Sequence, residues 1–126
     1  MSMQILVLDD ERIVGERLKA SLEKNGHILE IFVDPLKALD RIRETTFDVV
    51  ILDIRMDNMS GIQVLEAVRK KSQRTKVIMI TGYATLEVAR ESLTKGAFDF
   101  IAKPFKLREM HQAIQKAEDA LLAEAK

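Results

Sequence analysis

Residues 47–56 read "FDVVILDIRM", in which the run Val49, Val50, Ile51, Leu52 stops abruptly at Asp53. Four consecutive β-branched or aliphatic residues without polar alternation are the pattern of a short strand buried on both faces. A carboxylate at the lip of such a strand is either a solvated turn residue or a reactive group on a rigid support. The second reading requires partners elsewhere in the chain.

Further apolar runs occur at Ile5 to Leu8, His27 to Val33, Val77 to Ile80 and Phe98 to Ile101, and with Asp48 to Leu52 they make five. Each is followed by a segment of helical spacing. In the first, Val14, Leu18, Ser21 and Leu22 share a face and Asp10 is a candidate N-cap. In the second, Asp34 caps with Pro35 at the first helical position, and Leu39 and Ile42 point inward. Gly61 opens the third, where Leu65 and Val68 share a face; Thr85 caps the fourth, which Gly96 closes. Leu107, Met110, Ile114, Ala117 and Leu121 stripe the fifth, and the same stripe could serve a partner helix toward its end.

Five β-α units predict a doubly wound α/β fold, a parallel sheet with helices on both faces, since right-handed crossovers return the chain only that way. The 126 residues fit one domain, 1–126. An apolar fraction of 47 %, a charged fraction of 32 % and twenty basic against twenty acidic residues point away from nucleic acid or a membrane surface as direct partners. Absence of cysteine excludes disulfide, thiol and cysteine-zinc chemistry. With no basic region ahead of the first short apolar run, the expected location is cytoplasmic.

In such sheets functional groups gather beyond the carboxyl ends of the strands, where strand order reverses. Strand one ends in Asp9 and Asp10, strand three in Asp53, strand four in Thr81, and strand five in Lys103 and Pro104. Taken singly, Asp10 reads as a helix cap, Asp53 as a turn residue and Lys103 as a surface lysine. Their convergence from four strands reverses those readings. Carboxylates ~4 Å apart repel by several kcal/mol at an intermediate dielectric, so a divalent cation is expected to hold them together. Oxygen-only ligands favour Mg²⁺ or Mn²⁺. Phosphate oxygens would fill the open positions of that ion, while a lysine and a hydroxyl engage the remaining ones, an arrangement suited to phosphoryl transfer with Asp53 as nucleophile.

The segments "LVLDDE", "VVILDIRMDNMSG", "MITGYA" and "GAFDFIAKPF", in this order and spacing, resemble the receiver domains of two-component response regulators of the chemotaxis-regulator type, from Ile5 to about Ile114. The resemblance implies a flavodoxin-like sheet of order 2-1-3-4-5 with five helices, and phosphorylation of Asp53 by a histidine kinase or histidine phosphotransfer protein. It implies that Asp10, Asp53 and the backbone carbonyl of Arg55 bind Mg²⁺, with Asp9 contributing mostly through water. Thr81 and Lys103 would hold the phosphoryl group, Thr81 and Phe100 would form the switch, and the Lys103–Pro104 peptide would be cis. Such a domain is not expected to be a turnover enzyme. It would act on an output domain or protein, as a monomer or a phosphorylation-dependent homodimer.

Two positions depart from the family pattern. Asp57 stands where proline is usual, adding a carboxylate near the metal loop, and Phe100 stands where tyrosine is also common, so switching there rests on burial alone. His27 and His111 lack acidic or hydroxyl neighbours in sequence and read as structural or solvated. Met79 reads as core, Met56 and Met59 as packing beside the site, and Arg69, Lys70 and Lys71 as a solvated helix end. A flavin carrier would need a phosphate loop where "DDERIVGE" stands, and a haloacid-dehalogenase-like phosphatase a second aspartate where Arg55 stands. The remaining alternative is a phosphorylation-independent receiver-like interaction module.

Overall fold

The chain alternates strictly between strands and helices: β1 (Gln4–Leu8), α1 (Arg12–Glu23), β2 (Ile28–Phe32), α2 (Pro35–Glu44), β3 (Val49–Asp53), α3 (Gly61–Lys71), β4 (Lys76–Thr81), α4 (Leu86–Thr94), β5 (Asp99–Ala102) and α5 (Leu107–Glu124). The computed structural model describes residues 1–57 and 59–125. All strand pairings are parallel, and the sheet order is β2-β1-β3-β4-β5. The expected flavodoxin-like fold is the observed one.

Both faces of the sheet are covered because the central strands β1, β3 and β4 are apolar at every position between their polar ends. Ile5, Val7, Val49, Ile51, Ile78 and Ile80 face the layer of α1 and α5, while Leu6, Leu8, Val50, Leu52, Val77 and Met79 face α2 and α3. Each of these side chains is at most 1 % exposed, and full burial of one such group contributes about 1.5–3 kcal/mol. That is why the runs lack alternation. The α5 stripe is used inward as far as Leu121, which is 1 % exposed, leaving Leu122 as the large exposed apolar side chain at that end. The core therefore takes the side chains that the sequence also offered to a partner helix.

Local signals place the helix starts. Asp34 accepts from the N–H of Leu36 at 2.9 Å, Thr85 from that of Val88 at 3.1 Å, and α4 closes at Gly96 with φ of 104°, a left-handed conformation that glycine adopts freely. Gly61 opens α3 as expected, preceded by Ser60 as its cap in a reciprocal box with Gln63. Two expectations are corrected. The N-cap of α1 is Glu11, not Asp10, because Asp9 Oδ1 accepts from the N–H of Glu11 at 2.8 Å and delays the helix by one residue. The basic end of α3 is engaged rather than only solvated: Arg69 donates to the carbonyl of Thr75 at 2.7 Å, and Lys71 donates to the carbonyls of Ile42 and Arg43 at the end of α2.

The two histidines lie at the amino-terminal end of the sheet, away from Asp53. His111 joins α5 to α1 through Ser21 Oγ at 2.6 Å and Asn25 at 3.0 Å, so its hydroxyl partner is distant in sequence. His27 is buried, and its Nδ1 accepts from the N–H of Met3 at 3.1 Å. Burial lowers the His27 pKa below its ordinary value; Glu118 and Asp48 oppose this, while the N-terminal ammonium and His111 reinforce it. The unfolded chain consequently binds the extra proton first, and stability falls as pH drops below about 6.5. His27→Asn retains an acceptor for Met3 without a proton to gain. Denaturation at pH 5.5 and 7.5 should show a smaller acid loss in the variant, and an equal loss would assign it to other groups.

Candidate functional site

The carboxyl ends of β1, β3, β4 and β5 lie side by side, and the residues there meet. Asp53, the last residue of β3, is 4 % exposed. Its Oδ1 accepts from the N–H of Arg55 at 3.2 Å and its Oδ2 from Lys103 Nζ at 3.4 Å. Asp9, just beyond β1, is buried, whereas Asp10 is exposed at the rim. Asp9, Asp10 and Asp53 each present a carboxylate oxygen within 4.8 Å of the others, and they are the only such group among the described residues.

Lys103 reaches across this cluster. Its Nζ lies 2.7 Å from Asp9 Oδ2, 3.3 Å from Glu11 Oε1 and 3.4 Å from Asp53 Oδ2. The contact to Asp9 is close but poorly directed, so Oδ2 of Asp9 is buried without a hydrogen-bond donor. A buried, incompletely satisfied carboxylate oxygen in a cluster of three acids is what a hard divalent cation would complete. The donor set, oxygen throughout, fits Mg²⁺ or Mn²⁺.

The electrostatics agree with the geometry. Burial, then the charge of Asp9, pushes the Asp53 pKa up to about 6 against the pull of Lys103. Burial likewise raises Asp9, although Lys103 and the N–H of Glu11 oppose it. For Lys103 burial is the largest single influence and acts downward, but Asp9, Asp53 and Glu11 together outweigh it and hold the ammonium above its ordinary value. One cation is thus shared among three acids.

Thr81, the last residue of β4, is fully buried, and its Oγ1 accepts from the N–H of Tyr83 at 3.1 Å. Phe100 on edge strand β5 is half-buried against the α2 and α3 layer. The Lys103–Pro104 peptide is cis. Met79 is core; Met56 and Met59 are half-buried beside the same layer. Asp57 is exposed and is not one of the three clustered acids. Two neighbours escaped the sequence reading. Glu11 was visible as the third acid of "DDE", but its turn toward Lys103 was not. Tyr83, whose ring lies 3.8 Å beneath the Arg55 guanidinium, gave no signal beyond its place two residues after Thr81.

Comparison with known proteins gives one consistent result. Residues 5–115 match the family model of the response regulator receiver domain. The chain is 39 % identical over 114 residues to the regulatory protein AtoC of Escherichia coli, covering 90 % of this chain and 25 % of that protein. It is 34 % identical over 110 residues to the response regulator MprA of Mycobacterium bovis, covering 87 % of this chain and 48 % of that protein. The chain therefore spans about a quarter to a half of these relatives. Among solved structures, a CheY-like receiver domain protein from Methanospirillum hungatei superposes with a TM-score of 0.93 at 32 % identity, covering 98 % of this chain and 99 % of the other. The beryllofluoride-activated NtrC4 receiver domain dimer superposes with a TM-score of 0.89 at 30 % identity, covering 94 % and 98 %.

Proposed function

The chain belongs to the response regulator receiver domains of two-component signalling, and from that premise we propose that Asp53 accepts a phosphoryl group from a phosphohistidine on a histidine kinase or histidine phosphotransfer protein. The observation that carries the reading is the meeting of Asp9, Asp10 and Asp53 beneath one shared lysine. An oxygen of Asp53 attacks phosphorus as the P–N bond breaks, and the leaving imidazole keeps the bonding pair and takes a proton. Lys103 turns from Asp9 toward the phosphoryl oxygens. Thr81 Oγ1 already accepts from Tyr83, so its own hydrogen is available to another phosphoryl oxygen. Mg²⁺, or Mn²⁺, held by Asp10, Asp53 and the Arg55 carbonyl with Asp9 through water, would neutralise charge on the transferring group.

Drawing Thr81 toward the phosphoryl group vacates space that the Phe100 ring can fill, which exchanges one packed arrangement for another. The helix beside it is suited to respond. Ser92 is the one buried residue of α4, whereas every other helix buries at least three. A population change from 1:99 to 99:1 requires about 5.5 kcal/mol of preference, within reach of a few charge-assisted contacts. With Mg²⁺ and beryllofluoride, amide shifts should change around Asp53 and across α4, β5 and α5. In Thr81→Ala the changes at Phe100 should fall to about half or less while those at Asp53 persist. A full response at Phe100 in the variant would disprove the coupling.

In this reading residues 1–126 form one receiver domain, a cytoplasmic signalling module rather than a turnover enzyme, working through an output domain or protein. The structural likeness to the NtrC4 dimer supports a homodimer as one active form. The phosphorylation-independent alternative is not favoured. Asp57, the departure from the family pattern that would favour it, lies outside the three-acid cluster.

A further inference from the structure

Glu11 stands at the N-cap of α1, yet its side chain makes no capping bond. Its carboxylate instead reaches Lys103, ninety-two positions away in sequence, with Oε1 at 3.3 Å from Nζ. Its backbone cannot follow a moving lysine, because its N–H is tied to Asp9 Oδ1 at 2.8 Å. An ammonium has three hydrogens, and the Lys103 Nζ faces three carboxylates, those of Asp9, Glu11 and Asp53. A cation at the acid cluster would relieve Asp9 of the lysine, but it would leave the pair with Glu11 intact.

We propose that Glu11 is a positioning residue that tethers Lys103 on the α1 side of the site, so that a phosphoryl group on Asp53 must compete with Glu11 for the ammonium. The inference rests on the phosphoacceptor reading above. Glu11 faces solvent along the cleft of about 470 Å³ between α1 and the segment Lys103–Leu107, where it adjoins Ile13 and Arg17. The tether is therefore open to salt and to any basic group entering that cleft.

Two substitutions separate a tether from a general field. Glu11→Gln removes the charge. Glu11→Asp keeps the charge but shortens the reach, and an aspartate at an N-cap bonds back to the first-turn N–H groups, away from Lys103. Affinity for beryllofluoride is measured at saturating Mg²⁺ by titration of amide shifts, at low and at about 0.5 M salt. A tether predicts that both variants bind beryllofluoride about two- to fivefold more tightly at low salt, the range of one exposed ion pair, and that the difference largely disappears at high salt. It also predicts that the Lys103 ammonium resonance of the Mg²⁺-free protein shifts in both variants. If Glu11→Asp matches wild type and only Glu11→Gln binds more tightly, the effect is a long-range field and the tether is overturned. Unchanged or weaker binding in both variants overturns it too. Failure of the wild type to bind beryllofluoride with Mg²⁺ would remove the phosphoacceptor reading itself, an outcome distinct from the other two.

Discussion

Asp53→Asn is expected to abolish phosphorylation by acetyl phosphate, to below about 1 % of wild type, and at the same time to make the metal-free protein more stable. The first effect follows from chemistry, since an amide at the end of β3 offers no anionic oxygen to attack phosphorus. The second follows from burial. Asp53 is 4 % exposed beside buried Asp9, and its folded pKa of about 6 lies above the ordinary 3.8. A carboxyl group whose folded pKa is raised favours folding below 3.8 relative to above 6, so at pH 7.5 the ionised form carries the full penalty. A tenfold change in proton affinity on folding corresponds to about 1.4 kcal/mol, and in EDTA the variant should gain on the order of 1–3 kcal/mol. The gain should shrink as pH falls from 6 toward 4, and Mg²⁺ should narrow it by stabilising wild type alone. Denaturant titrations with and without Mg²⁺, together with mass spectrometry of the labelled peptide, test both halves. Undiminished label in the variant would move the phosphoacceptor elsewhere, and a variant less stable than wild type in EDTA would remove the electrostatic account.

Gly61→Ala is expected to cost about 3 kcal/mol or more of stability, a drop of about 10 °C in Tm, and to weaken Mg²⁺-dependent beryllofluoride binding by about 10- to 100-fold. The cause is a close approach. A Cβ on Gly61 would sit 2.2 Å from the carbonyl oxygen of Asp53 and 2.9 Å from Ile54 Cα, backbone atoms with no rotamer into which to retreat. The N–H of Gly61 also donates to the Ile54 carbonyl at 2.9 Å, locking the start of α3 against the end of β3. Either α3 moves off or Asp53 moves, and both disturb the site. Gly82→Ala is the control, since a Cβ there meets nothing within 4 Å; it should leave Tm within a few degrees of wild type. A melting temperature for Gly61→Ala equal to that of Gly82→Ala would show that the loop yields more easily than its backbone contacts allow.

The difference between those two glycines marks the limit of reading along the chain. Gly82 directly follows the end of β4 and Gly61 opens α3, and each stands after a hydroxyl residue, Thr81 and Ser60, that suits a loop or a cap. Only the return of α3 against β3 gives one of them a neighbour. The N-cap of α1 turns on a choice between two local bonds. Asp10 has the composition of a cap, but the bond from the N–H of Glu11 to Asp9, two residues back, postpones the helix and leaves Asp10 at the rim of the acid cluster. A cap preference worth about 1 kcal/mol gave way to an Asx-type turn of similar local origin.

The sequence by itself determined the five β-α units, the parallel sheet buried on both faces, and the strand ends at which Asp9, Asp10, Asp53, Thr81 and Lys103 converge. These follow from periodicity and from the position of polar residues relative to apolar runs, which are properties of neighbours along the chain. The tertiary structure alone decided that Asp9 is the buried acid and Asp10 the exposed one, that Lys103 is shared with Glu11, and that Arg55 lies over Tyr83. It also decided that His111 bridges α5 to α1. Each of these depends on side chains brought together by packing, at distances set by how helices seat on the sheet, and no spacing in the sequence encodes a direction in space.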